Sequence, residues 1–418
     1  MSDITYESVI SSLGMDGDGL AEVEGKKFYI PYTVPGDKVT FHEEKIKKYT
    51  RLFVDELIAN ESNRKAPLCE HFTKCGGCKL QHVNDALYLE FKVGLLKKAL
   101  DFHRVEAKEW RELKIIPPYK RRRISLTFAR RHEGFMLGYS MRQRSYIVDA
   151  KECPLVLPEI EVLIPKLREL LSTLFPTRES GHVDILMSKV GLDVNLNASA
   201  FKKITADQAE LLSTFASTQN LARLRLNYKP FVTFKEPICT FSGIDIKVEA
   251  GKFLQASQEA DTFMLERVEE YMPKTFKRGA DLFSGRGTFT FLMARYAPTD
   301  AFECEKVALQ ALEEGAKHSK NSVNAIKRDL FESPLTVEEL NEYDFVFVDP
   351  PRAGALKQVQ AIASSTLKQV VYISCNPASF ARDAQILIQD GFELASVTPL
   401  DQFLWSEHLE VIGHFVRR

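Results

Sequence analysis

Long apolar runs are absent from this 418-residue chain. None approaches the ~18–20 residues that a helical membrane span requires, so no membrane partner is expected. The first residues, Met1-Ser2-Asp3-Ile4-Thr5, lack the basic and apolar regions of a secretory signal, and a cytoplasmic protein is expected. Net charge is nearly absent too: 56 Lys and Arg stand against 57 Asp and Glu. Any basic surface must therefore be local. The cysteines number seven, an odd count in a chain without an export signal. That argues against a disulfide framework and leaves metal binding or catalysis as their better use. No internal repeat or long low-complexity segment occurs. What remains is an ordinary globular composition, 44% hydrophobic and 27% charged, in a chain long enough for two or three domains.

Residues 1–58 read as short strands between turn signals. Met15-Asp16-Gly17-Asp18-Gly19, Gly25 and Pro35-Gly36 mark turns, with Lys27–Tyr32 and Lys38–Phe41 alternating as strands between them. Such even spacing suggests a small β-barrel. The run Lys45-Ile46-Lys47-Lys48-Tyr49-Thr50-Arg51 is either a solvated face or an RNA contact. Cys69, Cys75 and Cys78 follow within ten residues, with Gly76-Gly77 allowing a tight fold around an ion. Three clustered thiols suit zinc or an iron–sulfur centre, and Cys153, followed by Pro154, is the natural fourth ligand.

Residues 85–104 carry Leu87, Phe91, Leu95 and Ala99 at helical spacing, with Asn84 or Asp85 as cap. From Lys114 to Arg144 nine cations (Lys114, Lys120, Arg121, Arg122, Arg123, Arg130, Arg131, Arg142, Arg144) face one acid, Glu133. Ile124–Ala129 and Phe135–Tyr139 read as a hairpin around His132-Glu133-Gly134, which would grip phosphates or guard a solvated edge. Ile160–Leu174 reads as an amphipathic helix that Pro165 either kinks or begins. Val183–Lys189, Gly191–Leu196 and Leu221–Asn227 read as strands of a scaffold without chemistry.

Strand and helix patterns alternate from Ala280 onward. Asp281-Leu282-Phe283-Ser284-Gly285-Arg286-Gly287 is a strand end running into a Gly-rich turn that lets a ligand approach the backbone. Glu303 ends the next strand, placed to hold a ribose diol, and Asp329 repeats the theme. Phe345–Val348 is a buried strand ending in Asp349-Pro350-Pro351-Arg352-Ala353-Gly354. Val370–Ile373 is another, and Ser374-Cys375-Asn376-Pro377 follows, with a turn forced at Asn-Pro. A thiol at a strand end of an open α/β sheet is a candidate nucleophile, although most cysteines in such places only pack. Glu410, in His408-Leu409-Glu410, is the last acid.

These motifs resemble those of known families. The Gly-rich turn looks like motif I of class I S-adenosylmethionine-dependent methyltransferases. Asp349-Pro350-Pro351-Arg352, Ser374-Cys375-Asn376-Pro377 and His408-Leu409-Glu410 are together similar to the RNA (uracil-C5)-methyltransferase family. So is the set Cys69, Cys75, Cys78 and Cys153, which in that family holds a [4Fe–4S] cluster, and the N-terminal module resembles its TRAM domain. The resemblance implies a multidomain α/β protein: an OB-like barrel over 1–58, an iron–sulfur-bearing RNA-binding α+β domain over 59–245, and a methyltransferase domain over 246–418, on which the helix at 85–104 packs. It implies Cys375 as nucleophile with a lowered pKa, Asp349 orienting the base and Glu410 as proton acceptor. S-adenosylmethionine would meet Gln255, Asp281, Phe283, Gly285, Gly287, Glu303, Asp329 and Asp349.

The chain departs from the family at Ser257, where Asn is usual, at Ser284, where many relatives have Cys, and before Glu410, where Pro-His is missing and Glu407 competes as base. The expected substrate is 23S ribosomal RNA, with the transfer RNA T-loop as alternative, bound by a monomer. The rivals are a noncatalytic RNA-binding or redox-sensing iron–sulfur protein, which leaves Asp349-Pro350-Pro351-Arg352 and Ser374-Cys375-Asn376-Pro377 without purpose, and an amino- or base-methylating enzyme, which would carry Tyr in place of Arg352 and no thiol.

Overall fold

The computed structural model describes residues 5–46, 49–132, 134–142 and 146–417. Lys47 and Lys48 of the first basic run, and Glu133 and Arg144 of the second, lie outside the described residues.

Two three-stranded antiparallel sheets form the N-terminal module. One places Lys38–Ile46 between Thr5–Val9 and Tyr49–Ile58, and the other joins Ser12–Leu13, Gly19–Val23 and Lys26–Ile30. Alternation puts Phe28, Ile30, Val39 and Phe41 on inner faces around one small core. Asp37, fully buried, fastens the exit of the module by accepting from the amides of Val34 and Asn60 and pairing with Arg64.

A seven-stranded sheet follows, in the order 147–149, 134–140, 123–131, 180–188, 191–198, 223–226, 229–233. The helix Pro158–Leu174 buries Ile160, Ile164, Leu167 and Leu171 against it. Pro158 opens that helix and Pro165 lies within it.

The third layer set is a mostly parallel sheet in the order 323–327, 299–303, 279–282, 345–348, 369–374, 410–417, 392–401, 107–110, with only 410–417 antiparallel to its neighbours. The strand order reverses at 279–282 and 345–348, and the carboxyl ends of strands beside such a point form the ligand crevice of open α/β sheets. The early helix, Asp85–Phe102, packs Leu96, Ala99 and Leu100 into the same core as Val346, Val348 and Leu387. Asn84 caps it by accepting from the Leu87 amide at 2.8 Å. The excursion is larger than a helix: Ala107–Trp110 and Lys114–Ile115 continue the sheet by pairing parallel to Phe392–Asp401. Residues 85–115 thus belong to this parallel-sheet layer, although a division at 59 and 245 assigns them to the central domain.

The basic hairpin is present, and several of its cations are engaged by other parts of the protein. Arg122 is buried against Asp261. Arg123 donates to the carbonyl of Leu254. Arg130 donates to the carbonyls of Ser172 and Phe175. Arg142 pairs with Asp18 at 2.6 Å, and Lys120 with Glu259 at 2.7 Å. Arg122, Arg123, Arg130 and Arg142 are thus tied to carboxylates and carbonyls, while Lys114 and Arg131 stay exposed on the strip.

Candidate active site

Two neighbouring cavities hold nearly all the singled-out residues. The larger, about 570 Å³, is lined by Gln255, Asp281, Phe283, Gly285, Glu303, Asp329, Asp349, Cys375 and Glu410, among others. These nine come from six strand ends or turns of one sheet and one segment before a helix. Gly287 does not line it. Its φ of +92° forms the turn, and a Cβ there would lie 2.5 Å from the Phe291 ring.

Each wall has a local cause. Gly285, at φ +57°, turns its amide to the Glu303 carboxylate at 2.9 Å, and that carboxylate also accepts from the amides of Cys304 and Glu305. Phe283 holds φ +62°, a conformation that side chains rarely adopt, and its ring meets that of Phe331 with centroids 5.4 Å apart. Asp281 is fully buried. Its Oδ2 accepts from Thr290 at 2.5 Å, while Oδ1 has no partner among the described residues. Burial pushes its carboxyl up to about 7, with Asp349 and Glu303 adding to the rise. A buried carboxylate oxygen left open in a cavity suits a cationic ligand group.

Ser257, whose place in the motif was in question, begins the helix Gln258–Tyr271 by accepting from the Ala260 amide at 3.1 Å. Ser serves there as well as Asn would. The Asp349-Pro350-Pro351-Arg352-Ala353-Gly354 turn is held by Asp383, which accepts from the amide of Ala355 and the hydroxyl of Tyr372. Gly354 is required, since a Cβ would meet Asp383 and Arg382 at 2.6 Å. Cys375 follows the strand Gln369–Ser374, and Asn376 caps the next helix, with Pro377 in its first turn.

The electrostatics correct one expectation. Cys375 is pushed up to about 11, first by burial and then by the charges of Glu410 and Asp349, against Arg352. A lowered thiol was expected. Two carboxyls beside a half-buried sulfur oppose thiolate formation. The carboxyls are raised as well: Asp349 to about 7 by burial and Asp261, and Glu410 to about 8 by burial and Asp349. Both titrate near neutrality, where a proton acceptor or donor is most useful.

Glu410 and Glu407 separate cleanly. Glu410 is buried and accepts from Gln402 Nε2 at 2.9 Å. Glu407 lines the second cavity and pairs with Lys79 at 2.7 Å. The loop that carries Glu407 to Glu410 hangs on the early helix: Asp401, at its start, accepts from Tyr88 at 2.5 Å and from Lys92 at 2.9 Å, and Lys92 also donates to the carbonyl of His408 at 2.6 Å. Gln402, Phe403 and Phe331 line the site or brace it and were missed by sequence reasoning, and Arg123, read there as a hairpin cation, lines it too. Only the Asp-Gln-Phe run at a strand end could have drawn attention to Gln402.

The second cavity, about 500 Å³, is lined by Cys69, Cys75, Cys78 and Cys153 together with His71, Arg121 and Tyr139. All four thiols are free. Burial pushes Cys69 up to about 11 and Cys78 up to about 12, and each feels the other cysteines. Cys75 Sγ accepts from the Gly77 amide at 3.4 Å, and Cys153 Sγ from the Tyr139 hydroxyl at 3.7 Å. Four converging thiols with donors aimed at sulfur fit a thiolate-bound centre. Among the described residues no group of three or more His, Cys, Asp or Glu is placed so that it could hold a metal ion.

A parallel sheet with a ligand crevice at its strand-order reversal, a Gly-rich turn and acids on successive strand ends defines a class I methyltransferase. The family model for tRNA (Uracil-5-)-methyltransferase matches residues 243–418. An uncharacterized RNA methyltransferase of Mesorhizobium japonicum is 36% identical over 97% of this chain and 96% of its own. The 23S rRNA (uracil(1939)-C(5))-methyltransferase RlmD of an Enterobacter is 30% identical over 97% of this chain and 95% of its own. Among solved structures, the Pyrococcus abyssi tRNA (uracil-54, C5)-methyltransferase in complex with S-adenosyl-L-homocysteine shares the fold, with a TM-score of 0.73 at 22% identity, over 98% of this chain and 100% of that one. The chain belongs to the RNA uracil-C5-methyltransferase family and is an S-adenosylmethionine-dependent enzyme.

Proposed function

We propose that the protein methylates C5 of one uridine in 23S ribosomal RNA through a covalent adduct at Cys375. The observation that carries the reading is the meeting of one thiol and two near-neutral carboxyls, Asp349 and Glu410, in the cavity that also holds the Gly-rich turn. Gln255, Asp281, Phe283, Gly285, Glu303 and Asp329 would hold S-adenosylmethionine, whose sulfonium supplies an electrophilic methyl group.

Uracil C5 is a weak nucleophile until C6 is attacked. Because the thiol is held up to about 11, its proton must leave as the Sγ–C6 bond forms. Asp349 takes that proton and shares it with the uracil O4, where the C5=C6 π pair collects as an enolate. C5 then takes the methyl group, the sulfonium keeping the electrons of the broken S–C bond. Glu410 removes the C5 proton, the pair reforms C5=C6, and Cys375 leaves as thiolate and recovers its proton from Asp349. The target base must be flipped out of its stack at a cost of a few kcal/mol. The N-terminal module, as an OB-like TRAM barrel, and the exposed Arg352 at the cavity support that grip.

We further assign Cys69, Cys75, Cys78 and Cys153 to a [4Fe–4S] cluster rather than zinc. The reading rests on the likeness of this cysteine set to the cluster ligands of the family it resembles, and on the cavity of about 500 Å³ that all four thiols line. Anaerobic protein should be brown and contain iron and sulfide; colourless protein with one zinc per chain overturns the assignment.

The target is tested by mapping 5-methyluridine in total RNA from a deletion strain. Loss of one site in 23S RNA is expected, and loss in the transfer RNA T-loop would move the assignment. The mechanism is tested with Glu410→Gln, which should leave a Cys375–RNA adduct on a denaturing gel.

A further inference from the structure

One buried side chain joins the two halves of the reaction centre and has no place in the scheme above. Gln402 follows Asp401 at the end of the strand Phe392–Asp401 and is buried. Its Nε2 donates to Gln255 Oε1 at 2.8 Å and to Glu410 Oε1 at 2.9 Å. Its Oε1 accepts from the Ala256 amide at 3.2 Å. The orientation is forced: a backbone amide can only donate, so the oxygen of Gln402 must face Ala256 and its nitrogen the two remaining acceptors. Both amide protons are thereby committed, one on each side of the cavity.

The anchoring on both sides is independent. The segment carrying Gln255 is held from the central domain, where Arg122 donates its amide to the Ala256 carbonyl at 2.8 Å and its Nε to the Gln255 carbonyl at 3.2 Å. Gln402 is fixed by its neighbour Asp401, clamped between Tyr88 and Lys92 of the early helix. The amide of Gln402 is therefore a rigid link between two separately braced groups, of which one lines the cofactor side and the other is the buried carboxylate.

We propose that Gln402 is a positioning residue that holds the Glu410 carboxylate against C5 and ties its placement to Gln255 on the cofactor side. The proposal rests on Glu410 being the proton acceptor. Removing the amide frees Glu410 to turn and leaves the Gln255 oxygen without its donor. Adduct formation, which uses Cys375 and Asp349, does not need the link. Adduct breakdown, which uses Glu410, does.

The test is single-turnover methylation by full-length Gln402→Met, a substitution of similar length and volume, with the Cys375–RNA adduct followed on denaturing gels. Adduct should form at the wild-type rate and break down about ten- to a hundredfold more slowly, the range set by one hydrogen bond to a charged group. Calorimetric binding of S-adenosylhomocysteine without RNA should weaken several-fold. Gln402→Asn keeps the buried polarity but shortens the reach, and serves if the methionine variant fails to fold. Wild-type breakdown in the variant that folds overturns the proposal, as does an equal loss in formation and breakdown, which general disorder would give. Glu410→Gln run alongside separates the two ideas. Adduct accumulating there but not in the Gln402 variants removes Gln402 alone; no adduct in Glu410→Gln removes the base assignment and the proposal with it.

Discussion

The thiol cavity and the carboxylate cavity measure about 500 and 570 Å³, and Arg123 and Phe403 line both. Their construction differs. The carboxylates stand at strand ends of a parallel sheet, where neighbouring strands fix each Cα and a turn re-aims each side chain. The thiols stand in loops: Cys69, Cys75 and Cys78 lie outside any helix or strand, and Cys153 follows the short strand Ile147–Asp149. Buried carboxyls on a rigid frame can wait for a ligand with only raised pKa values as the cost. On the proposed reading, the thiols in loops would share a bound centre whose binding energy would become folding energy. One cavity is organised by the fold; the other would, on that reading, be organised by its centre.

The sharpest break of this contrast comes from paired cysteine variants. Cys375→Ala should lose methylation entirely while keeping the visible absorption and melting temperature of the parent. Cys153→Ala should lose the absorption and melt lower, with activity falling only as far as folded protein is lost. Absorption spectra, thermal melts and initial rates on one preparation read all three. If Cys375→Ala melts several degrees lower, the frame around the carboxylates is not as self-sufficient as its strand-end placement implies.

A smaller effect separates the carboxyls from the frame that holds them. Asp281 is raised to about 7 by burial, so folding favours its protonated form. A raised carboxyl lends stability below its unfolded pKa of about 4, and that stability is lost as pH rises through the folded value. Cofactor-free protein should therefore melt lower as pH climbs from 5 to 8. Asp281→Asn should flatten that slope and raise the melting temperature at pH 8, while weakening S-adenosylhomocysteine binding. The methylation rate should run the other way with pH. Glu410, held near 8, is only about one-tenth ionised at pH 7, so adduct breakdown should quicken up to about pH 9.

The contrast also explains what could be read from the chain. Strand-end acids and the Ser-Cys-Asn-Pro turn are local signals, since a buried run, an acid and a helix breaker sit within a few residues. The pairing that supports them is not local. Lys92 reaches Asp401 across 309 positions, and Gln402 reaches Gln255 across 147. The arginines' partners were hidden for the same reason: a count of charges between 114 and 144 does not reveal that Arg122 faces Asp261, 139 positions away. The direction of the Cys375 shift failed similarly, because the burial that raises it, and the two carboxyls that add to the rise, come from the packing of other strands.

Glu407 gives the finest test, because it stands three residues from Glu410 and belongs to the other cavity. Burial alone would raise it, but Lys79, next to Cys78, holds it below the usual carboxylate range. The Lys79 and Leu80 amides also donate to the Trp405 carbonyl, so this stretch of loop is stitched to the thiol hairpin rather than to the reaction centre. Glu407→Gln should therefore leave adduct formation and breakdown unchanged. Its cost should be that of one partly exposed ion pair, about 1 kcal/mol or less, seen as a small drop in melting temperature that rising salt diminishes in the parent and not in the variant. An adduct that persists in Glu407→Gln would show that the loop brings the wrong carboxylate to C5 in the substrate complex. The division between the two cavities would then hold only before RNA binds.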